Sequence, residues 1–445
     1  MSKPRLVILH RNMGLLGGAQ RDLIVALPEH AKRWSITVAT LNAPQLLLDR
    51  CEQLGIEVIT PDVPWQLPTG PIAEVTVRAG RSARKTWRKL RSKLQPTLDA
   101  ADACCITLGT GGAEVLEIIP EGLPLYIFIH ERDKGIYDDV LQRDMDGKLR
   151  YPLFVKNLAL TYRRRWDQRW HKRFWNRPKT VISTNTPTSS RLLASSHKWP
   201  VSKDWIAGNV KFRDEQQRPA EIGVLWPAID PTAWPAEETD EERQTWETFR
   251  HKPAGQYLLT IGRACFMKGS KEAVQIAASA SLPLVHVGGG ETEEMQRQAE
   301  KFGAELHVSP RINETEIVAL MRNAHALIAT ARTEGFGLTP MEAIMVGTPA
   351  LVVSDCGFTH TITDGWNGRR LPWPDTKEGL EQWVEAIDQA SDEANRTAWS
   401  KAGRGRILER FTADHQAEGL ARGLAAMGVD VETTDLEMLP GLDPA

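Results

Sequence analysis

Short, almost purely apolar runs punctuate this chain, separated by longer stretches whose apolar positions recur every three to four residues. The runs read as strands at Leu6–His10, Ser35–Leu41, Ile56–Thr60, Ala103–Leu108, Leu125–His130, Thr180–Thr184 and Gly223–Leu225. A second set follows at Tyr257–Gly262, Leu284–Gly288, Glu305–Val308, Ala326–Ala329 and Ala350–Ser354. Few of these runs alternate apolar with polar residues, so they fit strands covered on both faces, as in parallel sheets. The stretches between them predict helices, including Ser270–Ala280, Thr292–Phe302 and Thr315–Ala324. Strand–helix alternation that occurs twice predicts an α/β protein with two parallel sheets. The Pro-rich, charged stretch Asp230–Gly255 marks the boundary, giving domains at 1–235 and 236–405. A last helical region spans Glu393–Met427, and a helix within 406–428 is expected to complete the first domain. Residues 429–445 carry five acidic residues, no basic ones and two prolines, and read as a mobile acidic tail.

Charge sharpens this division. The formal net charge of −2 is the sum of two unlike halves. Residues 1–220 hold 35 basic and 22 acidic side chains, and residues 221–445 hold 20 and 35. The longest apolar runs, such as Leu123–Ile129, are too short to span a bilayer, and no secretory signal pattern opens the chain. Cysteines 51, 104, 105, 265 and 356 show no C-x-x-C spacing, so free thiols in a reducing cytoplasm are expected rather than disulfides or a zinc site.

The most informative segment is Thr333–Ala343, T-E-G-F-G-L-T-P-M-E-A, between the strand HALIATA and the strand PALVVSD. Thr339 stands where a helix N-cap is expected, with Pro340 at the first helical position. The loop Gly335-Phe336-Gly337 can bring backbone N–H groups close to a ligand, and the N–H groups around Gly337, Leu338 and Thr339 form a phosphate cradle at a helix start. Glu334 and Glu342 flank this loop. By spacing alone, Glu342 fits a capping box with Thr339, and Glu334 fits a solvated loop carboxylate. A second element, T-I-G-R-A-C-F-M-K-G, places Arg263 and Lys268 after a buried strand, where two fixed cations can stabilise a departing diphosphate.

Together these elements resemble glycosyltransferase family four, the retaining, nucleotide-sugar-dependent enzymes of GT-B fold. The resemblance covers most of residues 256–371 well and the first half more thinly. It implies two Rossmann-like, doubly wound domains facing a cleft. In that reading Glu342 accepts hydrogen bonds from the donor ribose, Glu334 lies near the donor sugar, and Arg263 and Lys268 hold the diphosphate. His307–Ile312, including Arg311, matches the segment that meets the nucleotide base, with Pro310 where the family usually has Gly. Ser354–Gly368 resembles G-G-x-x-E…D-G-x-N-G, but Cys356 replaces the first Gly and His360 replaces the Glu. Gly288-Gly289-Gly290 fits a tight turn equally well.

In the first half, Gly17-Gly18-Ala19 follows a strand and opens a helix, without the spacing of a dinucleotide fingerprint or a P-loop. It resembles the family's G-G-A loop, which faces the donor phosphates. His130 ends the strand LPLYIFIH, where site residues of parallel sheets collect; the resemblance puts it near the sugar and acceptor, and a buried capping His is the alternative. His10, at the end of the first strand, is a weaker candidate. Two basic stretches, Arg78–Lys93 and Arg163–Lys179, carry most of the positive charge. In the second, Trp166, Trp170 and Phe174 share a helical face. Arg84, Trp87 and Arg88 with Arg165, Trp166, Arg169, Trp170, Arg173 and Phe174 therefore form a candidate surface for an anionic membrane or for the acceptor; a nucleic-acid backbone and a solvated basic helix with its aromatics packed on the protein are the alternatives. Asp144-Met145-Asp146 is discounted as a chance metal motif.

The expectation is a glycosyltransferase. It moves a sugar from a nucleotide-sugar to an unidentified acceptor: a lipid, a glycan, a small metabolite or a nucleic acid. The nucleotide-sugar is a substrate; no cofactor and no metal are expected, and retention of configuration follows from the resemblance alone. A GT-B sugar-nucleotide epimerase and a membrane- or nucleic-acid-associated binding protein are the alternatives.

Overall fold

The computed structural model describes residues 3–14, 17–68, 77–109, 111–206, 210–249, 256–309 and 312–438. They form two compact units, one of residues 1–138, 151–228 and 410–440, the other of residues 139–150 and 229–409.

The first unit has strands β1 Arg5–His10, β2 Ser35–Thr40, β3 Glu57–Ile59, β4 Ala103–Leu108, β5 Leu125–Ile129, β6 Thr180–Thr184, β7 Val201–Ile206 and β8 Ile222–Val224. They form one parallel sheet in the order β3-β2-β1-β4-β5-β6-β8-β7. Successive strand residues point to opposite faces, and the two cores divide accordingly. Val7, Leu9, Cys104, Ile106, Leu125 and Ile127 pack with Trp87 and Leu94 of helix Arg78–Asp99 and with Phe174 of helix Leu153–Asn176. Leu6, Ile8, Cys105, Tyr126 and Phe128 face the other way, toward Leu23 and Leu27 of helix Gly18–Arg33 and Leu420 and Leu424 of helix Ala413–Ala425. The C-terminal helix thus completes this unit. The chain winds outward from β1 to β3 and returns to β4, so the sheet has a switch point between β1 and β4, the place where parallel sheets open a ligand crevice at their carboxyl ends.

The second unit has β9 Leu258–Ile261, β10 Leu284–Val287, β11 Leu306–Ser309, β12 Ala326–Ala329, β13 Ala350–Val353 and β14 Arg369–Leu371, all parallel, in the order β11-β10-β9-β12-β13-β14. Its switch point lies between β9 and β12. The segments leaving those two strands, 262–269 and 330–337, carry the glycine-rich and charged motifs.

Four features depart from expectation. Edge strands β7 (VSKDWI) and β14 (RRL) are too polar to read as buried runs. The units divide after residue 228, earlier than the charged stretch, which instead holds a helix at Asp240–Thr248 with a Thr239/Glu242 capping box. Residues 139–150 pack with the second unit: Asp146 pairs with Lys271 at 2.8 Å and Arg150 pairs with Glu291. Asp146 of the discounted D-x-D motif is therefore already engaged. Finally, the supposed mobile tail begins with an anchored segment. The Thr434 N–H donates to Glu418 at 3.1 Å, and Arg422 donates to the Thr434 and Leu436 carbonyls. Residues 439–445 lie outside the described residues.

Candidate functional site

On the second unit, Lys268 and Glu334, two of the residues predicted to hold a donor, come together beyond the carboxyl ends of β9 and β12. The turn Phe266–Lys268 closes on Gly269, whose φ of +66° and tight approach to β12 exclude a side chain; a Cβ there would lie 2.0 Å from the Thr330 carbonyl oxygen. That close packing fixes Lys268 beside the next loop. Its Nζ donates to Glu334 Oε2 at 2.6 Å, with both side chains partly open to solvent. Arg332, which the sequence reading passed over, ties the same loops together. Its guanidinium lies 3.8 Å over the Phe266 ring and donates to the Phe266 carbonyl at 2.8 Å and to Glu272. Only its position two residues before Glu334 could have drawn attention to it. Arg263 is exposed, and it has no hydrogen-bond or ion-pair partner among the described residues.

The helix after Glu334 starts at Leu338, with Gly337 as its N-cap at φ +94°. This corrects the expected cap at Thr339: Thr339 is the second helical residue and Pro340 the third. Glu342 is therefore not the partner in a capping box, and it is buried. The first-turn N–H groups of Gly337, Leu338 and Thr339 have no intrahelical acceptor, and Pro340 contributes none, so three donors remain at the positive end of the helix. Gly335 and Phe336 are buried beneath this loop, and the Gly357 N–H donates to the Glu334 carbonyl at 2.9 Å. Cys356 fills its family-glycine position at φ +56°, with its thiol donating to the Arg332 carbonyl and pushed up to about 12 by burial. Arg311 and Pro310 lie outside the described residues.

On the first unit, the carboxyl ends of β1, β4 and β5 hold a buried polar cluster. The Gly17 N–H donates to Gln20 Oε1 at 3.1 Å, leading into the helix that begins at Gly18. Gln20 Nε2 faces His10 Nε2 at 3.1 Å, and His10 Nδ1 is 2.8 Å from Thr107 Oγ1. Burial lowers the His10 pKa to about 3, so the ring is neutral and accepts from the Gln20 amide. His130 is at the expected strand end but is buried, with Nε2 2.8 Å from Asp22 Oδ2. Asp22 also accepts from the Ala228 N–H at 2.6 Å and from Gln416 Nε2 at 2.8 Å. It joins three distant parts of the chain, and no motif marked it.

Residues 242–406 match the family model described as glycosyl transferases group 1. The matched residues lie within the second unit. Lipopolysaccharide glucosyltransferase WaaG of Escherichia coli K12 is 27% identical over 197 residues, 42% of this chain and 52% of that protein. A D-inositol 3-phosphate glycosyltransferase of Mycobacterium tuberculosis is 25% identical over 211 residues, 45% of this chain and 41% of that protein. The chain thus aligns with about half the length of these curated relatives. The fold likeness runs further. The crystal structure of WaaG superposes with a TM-score of 0.62 at 19% identity, covering 96% of this chain and 99% of that one. Anabaena HepE, crystallised in complex with UDP and glucose, gives 0.63 at 16% identity, covering 95% of this chain and all of that one. The fold is GT-B: two Rossmann-like, doubly wound parallel-sheet units. The match to the group 1 model spans Arg263, Lys268, Glu334 and Glu342.

Outside the matched residues, the aromatics of the basic stretches pack on the protein, the alternative to an exposed aromatic surface. Trp87, Trp170 and Phe174 are buried in the first unit's core, and Trp166 packs partly buried against it. The aromatic stripe at four-residue spacing is a core-facing stripe. Arg84 and Arg88 both clasp Glu117, at 2.6 and 2.7 Å, and hold its carboxyl down at about 2. They are committed to an internal ion-pair network. Arg165, Arg169, Lys172 and Arg173 remain on the outer face of helix Leu153–Asn176 and line an open groove. The earlier turns of that helix expose Leu153, Phe154, Leu158 and Tyr162, with Phe154 and Leu158 each 75% exposed.

Proposed function

We propose that this protein transfers a sugar from a nucleoside-diphosphate sugar to an acceptor hydroxyl, with the donor held on the second unit. The observation that carries the reading is the Lys268–Glu334 contact of 2.6 Å at the carboxyl ends of β9 and β12, beside the helix N-terminus at Gly337. As the bond between the sugar and the diphosphate breaks, negative charge grows on the departing diphosphate. Lys268, Arg263 and the N–H groups of Gly337, Leu338 and Thr339 supply fixed positive charge against it, the task a divalent metal performs elsewhere. Glu342 takes the ribose hydroxyls, Glu334 the donor sugar, and the transfer retains the anomeric configuration. On the first unit, Gly17, Gly18 and His130 are the residues proposed to act in the transfer. The free state of all five cysteines supports a reducing, cytoplasmic setting.

A thermal-shift panel of UDP-, GDP- and ADP-sugars tests the donor, starting from UDP-glucose because HepE has been crystallised with it. A bound donor raises the melting temperature, and free diphosphate nucleotide then accumulates only when acceptor is added. A flat panel, or an epimerised donor without acceptor, sinks the reading.

The acceptor side of this reading lies at an anionic membrane. Supporting it are the exposed Leu153, Phe154, Leu158 and Tyr162, followed along one helix by Arg165, Arg169, Lys172 and Arg173. Apolar groups that enter the headgroup region beside cations that meet lipid phosphates suit such a surface. No helix among the described residues is long and apolar enough to cross a membrane. Co-sedimentation with phosphatidylglycerol vesicles should weaken on F154S/L158S substitution, and binding to DNA instead of vesicles would redirect the acceptor assignment.

A further inference from the structure

Under the basic face of helix Leu153–Asn176 lies a polar cluster that the transfer reaction does not use. Asp167 and His171 stand one turn apart on that helix, and His197 is the last residue of helix Pro187–His197. Their side chains are 11%, 8% and 3% exposed, and one ligand-type atom from each lies within 4.8 Å of the other two. His197 Nε2 is 3.1 Å from Asp167 Oδ2, and His171 Nδ1 is 3.3 Å from Asp167 Oδ1. The two imidazole rings are 4.3 Å apart between centroids. Tyr137 directs its hydroxyl into the same space, 2.9 Å from Asp167 Oδ2 and 3.5 Å from His197 Nε2. Phe174 and Trp199 wall the cluster, each within 6 Å of the His171 ring between centroids (5.6 and 5.9 Å).

The hydrogen-bond inventory of this cluster is peculiar. His197 Nδ1 is 3.0 Å from the Leu193 carbonyl and His171 Nδ1 is 3.0 Å from the Asp167 carbonyl, each four residues earlier on its own helix. A carbonyl only accepts, so both Nδ1 atoms carry their proton, and a neutral ring then has its lone pair at Nε2. His197 Nε2 nevertheless faces a carboxylate, another acceptor. Protons alone satisfy the site only by charging a ring whose centroid lies 4.3 Å from that of a second, tilted histidine ring, in a pocket with one carboxylate. One divalent cation removes the conflict. It binds the carboxylate and the His197 Nε2 lone pair while His197 Nδ1 keeps its carbonyl partner, the arrangement in which metal-bound histidines are normally held, and His171 supplies the third ligand atom.

We infer that Asp167, His171 and His197 form a structural site for a divalent transition metal of the zinc class. Two imidazoles and one carboxylate suit zinc, whereas magnesium and calcium call for oxygen ligands. A tetrahedral zinc site, with bonds of about 2.0–2.2 Å, has ligand atoms about 3.3 Å apart; the 3.1 Å His197–Asp167 edge already fits, and the remaining edges close by side-chain rotation from within 4.8 Å. The Tyr137 oxygen lies beside the fourth position, to bind it directly or through a water. The ion fastens helix Leu153–Asn176 to helix Pro187–His197 and to the Tyr137 turn, fixing the helix whose outer face carries the free cations. It is separate from the donor site and takes no part in the proposed transfer.

The test uses the full chain, stripped with chelator and dialysed. Calorimetry with Zn²⁺ should give one equivalent per chain, and Co²⁺ should give the intense visible bands of a four-coordinate ion. H171Q and H197Q should each weaken Zn²⁺ binding at least tenfold, while H307Q, which changes an exposed histidine paired with Glu305, leaves it unchanged. Absence of saturable binding by the wild-type chain overturns the site, as does undiminished binding by folded H197Q or a weak six-coordinate cobalt spectrum. Should H197Q fail to fold, D167N and the wild-type cobalt spectrum decide the matter.

Discussion

Replacing Lys268 by Met removes one charge while keeping most of the side chain's volume, and the geometry separates its two consequences. In the free protein Lys268 contacts Glu334 at 2.6 Å, but the two side chains are 32% and 20% exposed. A partly solvated pair of this kind contributes at most about 1 kcal/mol to folding, which lowers the melting temperature by roughly 2–4 °C for a unit of this size. Against a bound diphosphate the same ammonium acts on charge that grows during the reaction. A unit charge about 4 Å away at an effective dielectric of 20 is worth about 4 kcal/mol, and deletion of one such preorganised donor typically costs 10²–10³-fold in rate. K268M should therefore lose on the order of 10²–10³ in kcat/KM, measured as acceptor-dependent nucleotide release, while remaining folded within a few degrees of the parent. K268R should recover part of the loss because it restores the charge with altered reach. A K268M protein with more than a tenth of parental activity, or one whose activity falls only in step with its melting temperature, would refute the assignment of Lys268 to the diphosphate.

Other expectations follow from the same structure. G269A puts a Cβ 2.0 Å from the Thr330 carbonyl at φ +66°, so urea titration should show a loss of at least about 2 kcal/mol, and an unchanged midpoint would mean that this loop relaxes freely. Burial depresses His10 to about 3 and both His30 and His286 to about 4. Below pH about 6.5 the unfolded chain takes up protons that these folded rings refuse, so stability falls from about pH 6.5 down to about 4. H30Q should flatten that part of the melting-temperature profile; an identical slope in parent and variant removes His30 as a cause. W170A, which empties a 3%-exposed core position, should cost about 3–5 kcal/mol. F154S, at a 75%-exposed position, should change stability by less than about 0.5 kcal/mol while lowering vesicle binding. A reversed order in chemical denaturation would overturn the assignment of inner and outer faces on that helix.

Most of the fold and about half of the candidate site were legible in the order of residues. Strands such as Ala103–Leu108 and helices such as Ser270–Ala280 stood out because burial on both faces or on one face imposes a local period on the sequence. The candidate donor motif was equally local: Lys268 and Glu334 meet because each lies in the loop that leaves a central strand, β9 or β12. Edge strands β7 and β14, rich in polar residues, carry no such period. The helix start at Gly337 was misplaced by two residues because Thr-Pro is an ordinary start signal, whereas the left-handed glycine conformation that decides it is visible only in the backbone.

What the sequence determined by itself was the local part: apolar period, turn chemistry, and the unequal charge of the two halves. Tertiary structure alone decided which partner each polar group meets. Arg84 and Arg88 read as free cations until Glu117, distant in sequence, was found between them. Trp170 and Phe174 share a face by helical spacing, but only packing against the sheet turns that face inward. Asp22, Ala228 and Gln416 converge from separate parts of the chain, as do Tyr137, Asp167 and His197. Helical and strand periods are short-range consequences of backbone geometry and can be read along a chain. The pairing of a buried charge is a long-range consequence of desolvation, which requires a partner but does not specify where in the sequence that partner lies.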